Sequence, residues 1–589
     1  MRPLLAWFAV TCAWAADRPN VVILLADDAG WGDISFNGNR QLATPNIDSL
    51  ARTGAHFDRF FVQPVCSPTR AEFLTGRYHP RLGVRGVSTG QERMNLDEKT
   101  FADSFKAAGY VTGIFGKWHN GSQWPYHPLA RGFDTFWGYT SGHWGEYFDA
   151  PLEHNGVMQP SQGYIVDVLT DKALQFIERN QRKPFLCYVP FTTPHSPFSV
   201  PPTDWVRFKD LPITQPATVA KDEAPDATRC VLAMLENQDR NVGRILAKLK
   251  ALNLENDTLV IYFSDNGPNT SRWNGGMKGK KGMTDEGGVR SPLFVRWPGR
   301  IAAGTLVKPI AGAIDLSPTL HALAGVKRVG EKPLDGRDLS PLLLKGVDAD
   351  QAPRRLFNSW ANSVSVRTQT HRLDNVGNLF DLVTDPGQTT PIQAQQPELA
   401  RQLSEAVAAW RQEMGLGGPN QRKGDGSQVD PRPLAIGYRE FPSTMLPARD
   451  GTPLGEMRRS AKAPNSSYFV HWTKPTDAAV WNIEVMTAGT YTVTLDYTCP
   501  VADVGSILEL GIGQTKITGK VTAGWDPPLL TEQDVVPRRL HGESLMKPFH
   551  TMTLGEIKLE PGLAALKLRA LAIPGQSVMD LRRVTITLK

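Results

Sequence analysis

Cysteine is scarce in this chain, with five among 589 residues. Cys12 sits in an N-terminal apolar stretch. Cys66, Cys187, Cys230 and Cys499 are far apart and show no metal-type spacing. So sparse a set excludes a disulfide scaffold, although a single disulfide stays open. A dominant charge is also missing: 65 Lys and Arg residues face 59 Asp and Glu, a net charge of +6. No Lys/Arg run concentrates that excess, which argues against nucleic acid as a partner. Long apolar runs are absent beyond the N-terminus, so no integral membrane segment is expected.

What is present starts at that N-terminus. Met1-Arg2-Pro3 precedes an apolar run from Leu4 to Ala13, and Ala15-Ala16 supply small residues at a cleavage site. This pattern predicts a signal peptide over residues 1–16 and an exported mature protein, periplasmic or secreted. The length predicts two or three domains.

Val21-Val22-Ile23-Leu24-Leu25-Ala26 is a short unbroken apolar run, as expected for a strand covered on both faces of a parallel sheet. It ends in Asp27-Asp28. Three further strand candidates behave alike. Tyr110–Gly116 ends in Lys117-Trp118-His119, with Lys117 and His119 expected on one side. Phe185–Phe191 precedes His195, and Leu259–Phe263 precedes Asp265-Asn266. A solvated turn would explain any one of these ends. Four together point to one shared site at the carboxyl edge of a sheet. Helices are expected over Thr44–Thr53, Asp97–Ala108 and Asp226–Leu252.

The most specific stretch is Cys66-Ser67-Pro68-Thr69-Arg70, continuing to Leu74-Thr75-Gly76-Arg77. Pro68 suits the first position of a helix. Cys66 would then stand at its positive end, reactive in principle, with Arg70 one turn on. The plainer reading is a small buried apolar residue. The stretch resembles the signature of the formylglycine-dependent type I sulfatases, with Thr69 where that family more often has serine. Gly116-Lys117-Trp118-His119 resembles a second element of the family, with Asn120 in place of the usual leucine. Lys281-Gly282-Met283-Thr284-Asp285-Glu286-Gly287-Gly288-Val289-Arg290 resembles the loop whose lysine touches the substrate sulfate. Lys278 and Lys280 are expected to be ordinary loop residues. The resemblance extends from about residue 19 to 415.

The resemblance implies an α/β fold, a mostly parallel, alkaline-phosphatase-like sheet sandwiched by helices, over residues 17–345. A small C-terminal α+β subdomain would occupy 346–415. It implies that Cys66 is converted to formylglycine by a maturation enzyme and that its hydrate attacks sulfur. His119 would be the base, and Arg70 and Lys117 would hold the nucleophile. His195 and Lys281 would bind sulfate, one of them protonating the leaving oxygen. Asp27, Asp28, Asp265 and Asn266 offer hard oxygen donors suited to calcium or magnesium. By resemblance the ion is calcium, also bound by residue 66. His143, in Ser141–Tyr147, is the candidate for the leaving-group pocket, with a packed loop the alternative. Trp124, Trp144 and Trp273 could stack on sugar faces or sit in the core.

Residues 416–435 are rich in turn-formers and expected to be a linker. Beyond them Trp481, Ile483 and Val485 alternate with polar residues. The same holds for Tyr491–Tyr497, Leu508–Ile512 and Val584–Leu588, so an all-β sandwich domain is expected over 436–589. It would bind carbohydrate or serve structure alone. The function expected is a sulfatase acting on a sulfated carbohydrate. The alternatives are a phosphate or phosphonate monoester hydrolase of the same superfamily and a non-catalytic binder of sulfated glycans.

Overall fold

The computed structural model describes residues 18–345, 352–416, 429–537 and 542–589; the expected signal peptide lies outside them. The run after Pro19 forms the strand Asn20–Ala26, buried along its whole length. Its side chains alternate between two cores. Val21, Ile23 and Leu25 enter one, while Val22, Leu24 and Ala26 enter the other. Burying each of these Val, Ile and Leu side chains contributes about 1.5–3 kcal/mol, which is why the run from Val21 to Ala26 carries no polar residue.

This strand lies near the middle of a ten-stranded sheet. Thr258–Ser264 pairs with it on one side and Phe185–Pro190 on the other, both parallel. Val111–Lys117 and Thr135–Tyr139 extend the parallel set. Leu293–Arg296 continues the sheet beyond Thr258–Ser264 as an antiparallel strand. The neighbours of Asn20–Ala26 follow it far along the chain, so the carboxyl ends of several strands gather at one edge. The helices Ile165–Asn180 and Pro225–Ala251 pack their apolar sides into the second core.

One helix starts later than expected. Phe101–Ala107 opens at Thr100, whose Oγ1 accepts from Asp103 N at 3.1 Å while Asp103 Oδ2 accepts from Thr100 N at 2.8 Å. That reciprocal cap fixes the start and leaves residues 97–99 outside. The strand expected to end at Gly116 runs one residue further, through Lys117.

Leu356–Trp360, Ser363–Arg367, His371–Leu373 and Leu379–Asp381 form a four-stranded antiparallel sheet, and the helix Pro397–Glu413 covers it. From residue 434 the chain builds two six-stranded sheets. Trp481, Ile483, Leu508, Leu510 and Leu566 of one meet Tyr491, Val493, Leu495, Val584 and Ile586 of the other in a single apolar cluster. The expected linker needs correction at its end. Asp430 N donates to Thr89 O, and Leu434–Ile436 is a strand parallel to Ile483–Val485. Leu434 and Ile436 are apolar and buried in the shared cluster, so they fold with the sheets instead of spanning a gap.

Candidate active site

Each end of the parallel strands delivers its polar residues to one place. Asp27 and Asp28 leave Asn20–Ala26 fully buried, and Asp28 takes a left-handed backbone, φ 71°. Asp265 and Asn266 leave Thr258–Ser264. Asp28 N donates to Asp265 Oδ1 at 3.2 Å, and Asn266 Nδ2 donates to Asp28 Oδ1 at 2.7 Å. Lys117 Nζ stands 2.7 Å from Asp27 Oδ2.

The cysteine segment forms the helix Cys66–Thr75, closed by Gly76 in the left-handed region. It begins at Cys66 itself, with Pro68 inside the first turn, not at its opening position. Arg70, one turn on, is wholly buried. Its Nε and Nη2 donate to Asp265 Oδ2 at 2.9 and 2.7 Å, and its Nη1 donates to Lys117 O at 2.9 Å. Cys66 Sγ lies 4.0 Å from Asp28 Oδ1. The helix terminus does not make this thiol reactive. Burial pushes it up, far beyond the usual thiol range, and outweighs Lys117 and Lys281.

Among the lysines of the 278–281 loop, Lys281 is the one that reaches Asp28, at 2.7 Å from Oδ1. Lys280 faces Ser271 and Lys278 faces Asp285. His195 Nε2 is 3.6 Å from Asp28 Oδ2, and His143 Nδ1 is 3.4 Å from His195 Nδ1. Three carboxylates, Asp27, Asp28 and Asp265, are thus matched by three cations, Arg70, Lys117 and Lys281. Despite burial, Lys281, His195 and Lys117 hold Asp28 below the usual carboxylate range. Burial and Asp27 push Asp265 up to about 6. Burial and Lys281 bring His195 down to about 4.

His119 departs from the strand alternation expected for it. The strand stops at Lys117, and His119 turns through a left-handed φ of 68°. Its Nε2 bonds the Val87 carbonyl at 2.8 Å. It stays within electrostatic reach of the site: burial first and Lys117 second hold it well below the usual imidazole range, with Arg70 and Lys281 adding to this. Asn120 Nδ2 turns to Ser67 O and Oγ at 3.2 and 3.1 Å, which ties this strand end to the cysteine helix.

The donors fit a hard divalent cation. Ligand atoms of Asp27, Asp28, Cys66 and Asp265 lie within 4.8 Å of one another. Asp27 Oδ1 and Asn266 Oδ1 are buried with no hydrogen-bond partner among the described residues. Buried oxygens left unsatisfied are costly, and a cation removes that cost.

Several contributors have no local signature in the sequence. Arg272 Nη2 donates to Asp28 O at 2.9 Å and pairs with Asp33 at 2.6 Å, so it braces the aspartate loop. From a turn between the strands Arg458–Arg459 and Phe469–Val470 of the C-terminal sheets come Asn465, whose Nδ2 donates to Val87 O at 3.1 Å, and Ser466, whose Oγ donates to His143 O at 3.0 Å. Glu543 accepts from Ser196 Oγ. Trp124 is half-buried, with one face stacked on Phe441 at 5.4 Å. Trp144 stacks on Tyr139 at 5.2 Å.

A family model described as sulfatase matches residues 19–326, just over half of the chain. The N-acetylgalactosamine-6-sulfatase of Mus musculus is 33% identical over 384 residues, covering 59% of this chain and 70% of that protein. Arylsulfatase A of Bos taurus is 31% identical over 441 residues, covering 66% and 82%. The structure of Ps i-CgsB in complex with k-i-k-neocarrahexaose matches with a TM-score of 0.60 and 29% identity, covering 67% of this chain and 92% of that one. Site, sheet and sequence relatives agree: the chain belongs to the sulfatase family, as a type I member of the alkaline-phosphatase-like superfamily, and is a sulfuric ester hydrolase.

Proposed function

We propose that this chain is an exported sulfatase acting on a sulfated carbohydrate. It would use a formylglycine made from Cys66 by a maturation enzyme, and calcium held by Asp27, Asp28, Asp265, Asn266 and residue 66. The observation that carries the reading is the cluster of Asp27, Asp28, Cys66 and Asp265 ligand atoms within 4.8 Å of one another, where Asp27 Oδ1 and Asn266 Oδ1 accept no hydrogen bond among the described residues. The formylglycine supplies a hydrated aldehyde as the oxygen nucleophile, and the cation supplies charge that polarises the sulfate.

The chain's own side chains do the rest. Arg70 and Lys117 balance the carboxylates and fix residue 66 at the helix start. The Val87 carbonyl only accepts, so His119 carries its proton on Nε2 and presents the Nδ1 lone pair as a base. Lys281 and His195, both against Asp28, bind the sulfate oxygens, and one of them protonates the leaving oxygen. His143, 3.4 Å from His195, would line the leaving-group pocket.

The division into a catalytic unit over 17–345, a subdomain over 346–415 and an appended β-rich unit is supported by its separate apolar cluster. The carbohydrate substrate is supported by the sulfated sugar named for the mouse relative and the oligosaccharide bound by Ps i-CgsB. Matched aryl sulfate and aryl phosphate esters test the reading. Faster sulfate turnover, abolished in a folded Cys66→Ala variant, is expected. Preferential phosphate turnover, or activity retained by Cys66→Ala, would overturn it.

A further inference from the structure

We propose that Asn465, from the β-rich unit, is a positioning residue for His119, so that the appended unit forms part of the active site. The inference rests on His119 being the base in the reading above.

The geometry is specific. Asn465 Nδ2 donates at 3.1 Å to the Val87 carbonyl that also accepts from His119 Nε2 at 2.8 Å. Asn465 Oδ1 accepts from Gly142 N at 3.4 Å. One orientation of the amide satisfies both bonds, since a carbonyl needs a donor and an N–H needs an acceptor. One side chain thereby staples two loops of the catalytic unit, those carrying Val87 and Gly142. Both loops touch the same histidine. A Cβ at Gly142 would stand 2.2 Å from His119 Nε2 and 2.7 Å from Asn465 Nδ2, so the bare backbone of Gly142 closes over the Nε2 edge of the ring.

His119 needs such enforcement. A non-glycine residue at φ 68° is in a sparsely populated region and persists where its surroundings over-determine it. The shared carbonyl also sets the tautomer. With Nε2–H committed to Val87, Nδ1 is left as an acceptor, buried and without a hydrogen-bond partner among the described residues. Without Asn465 the Val87 carbonyl has one tie fewer and the ring loses the constraint that keeps Nδ1 the basic atom. The segment that presents Asn465 is itself held from both sides. Arg449 Nη1 donates to its carbonyl at 3.3 Å, and Ser466 Oγ donates to His143 O. At the far end of the same catalytic loop, Arg582 pairs with Glu146 at 2.9 Å.

The test uses the full-length, matured protein with an aryl sulfate. Asn465→Ala is expected to lower kcat roughly 10–100-fold, as outer-layer partners of a working group do, with KM unchanged. Asn465→Asp keeps the size and the acceptor for Gly142 but has no N–H for Val87. It should lose kcat similarly in protein that stays folded at the assay temperature, and it carries the test where the alanine variant does not fold. Wild-type kcat in a folded variant would overturn the proposal, as would a raised KM with kcat kept, which would make Asn465 a substrate contact. A readout independent of turnover is histidine-selective 15N NMR, with His119 assigned by its loss in His119→Gln. The expected signature is a neutral Nε2–H ring in the wild type that becomes a tautomer mixture in Asn465→Ala. An Nδ1–H ring in the wild type would contradict the proposal. An inactive wild type with the Nε2–H signature and its loss in the variant would remove the sulfatase reading and leave the positioning intact.

Discussion

The contact between the catalytic unit and the β-rich unit buries two carboxylates together, and this makes stability depend on pH in a calculable direction. Glu92 is 2% exposed and Asp450, from the β-rich unit, is 4% exposed. Burial first, and Asp450 second, push Glu92 from 4.5 up to about 7, with Arg449 and Arg93 opposing only in part. Glu92 Oε2 has no hydrogen-bond partner among the described residues, and the bond from its own backbone N–H offsets the burial only in part. A carboxyl whose folded value is raised holds its proton longer in the folded chain than in the unfolded one. Its contribution to stability is therefore complete below pH 4.5 and is lost as pH rises through about 7. At about 1.4 kcal/mol per pH unit, that loss is on the order of 3 kcal/mol. Glu92→Gln removes the titration and retains the shape. The difference in unfolding free energy between variant and wild type, from urea denaturation between pH 4.5 and 8.5, should shift by roughly that amount in favour of the variant as pH rises. Parallel curves across the whole range would refute the reasoning.

Two further outcomes follow from the same geometry. Lys281→Ala should lower kcat/KM at least tenfold, as expected for a lost charged hydrogen bond of about 1.5–3 kcal/mol, while Lys280→Ala stays near wild type; equal effects would displace Lys281 from the sulfate. Stripping divalent ions with a chelator should lower the thermal midpoint, and calcium at about 100 times its dissociation constant should restore about 2.7 kcal/mol; an unchanged midpoint would contradict a cation among the four oxygen donors.

Much of the catalytic unit is legible in the sequence because its physics is local. An unbroken run such as Val21–Ala26 has few alternatives to a strand covered on both faces, and the alternate entry of its residues into two cores bears this out. Asp27, Asp28, Lys117, His195, Asp265 and Asn266 can be gathered from sequence because each follows such a run. What escapes is whatever depends on a partner far along the chain. Arg272 and Asp33 are 239 residues apart, and Asn465 and Val87 are 378 apart. A single hydrogen bond between loops leaves no periodicity at either end. His119 is gathered with Lys117 but not oriented: strand alternation stops at Lys117, and a left-handed residue two positions on cannot be placed by counting. For Cys66 the sequence offers both a helix terminus and burial, and burial is what the structure shows.

The account stands most directly on the chemical state of residue 66. The measurement is the mass of the proteolytic peptide carrying Cys66, from protein produced alongside an active formylglycine-generating enzyme. The expected mass is that of formylglycine in place of cysteine. An unmodified cysteine in that peptide, while a control substrate of the same enzyme is converted, would contradict it.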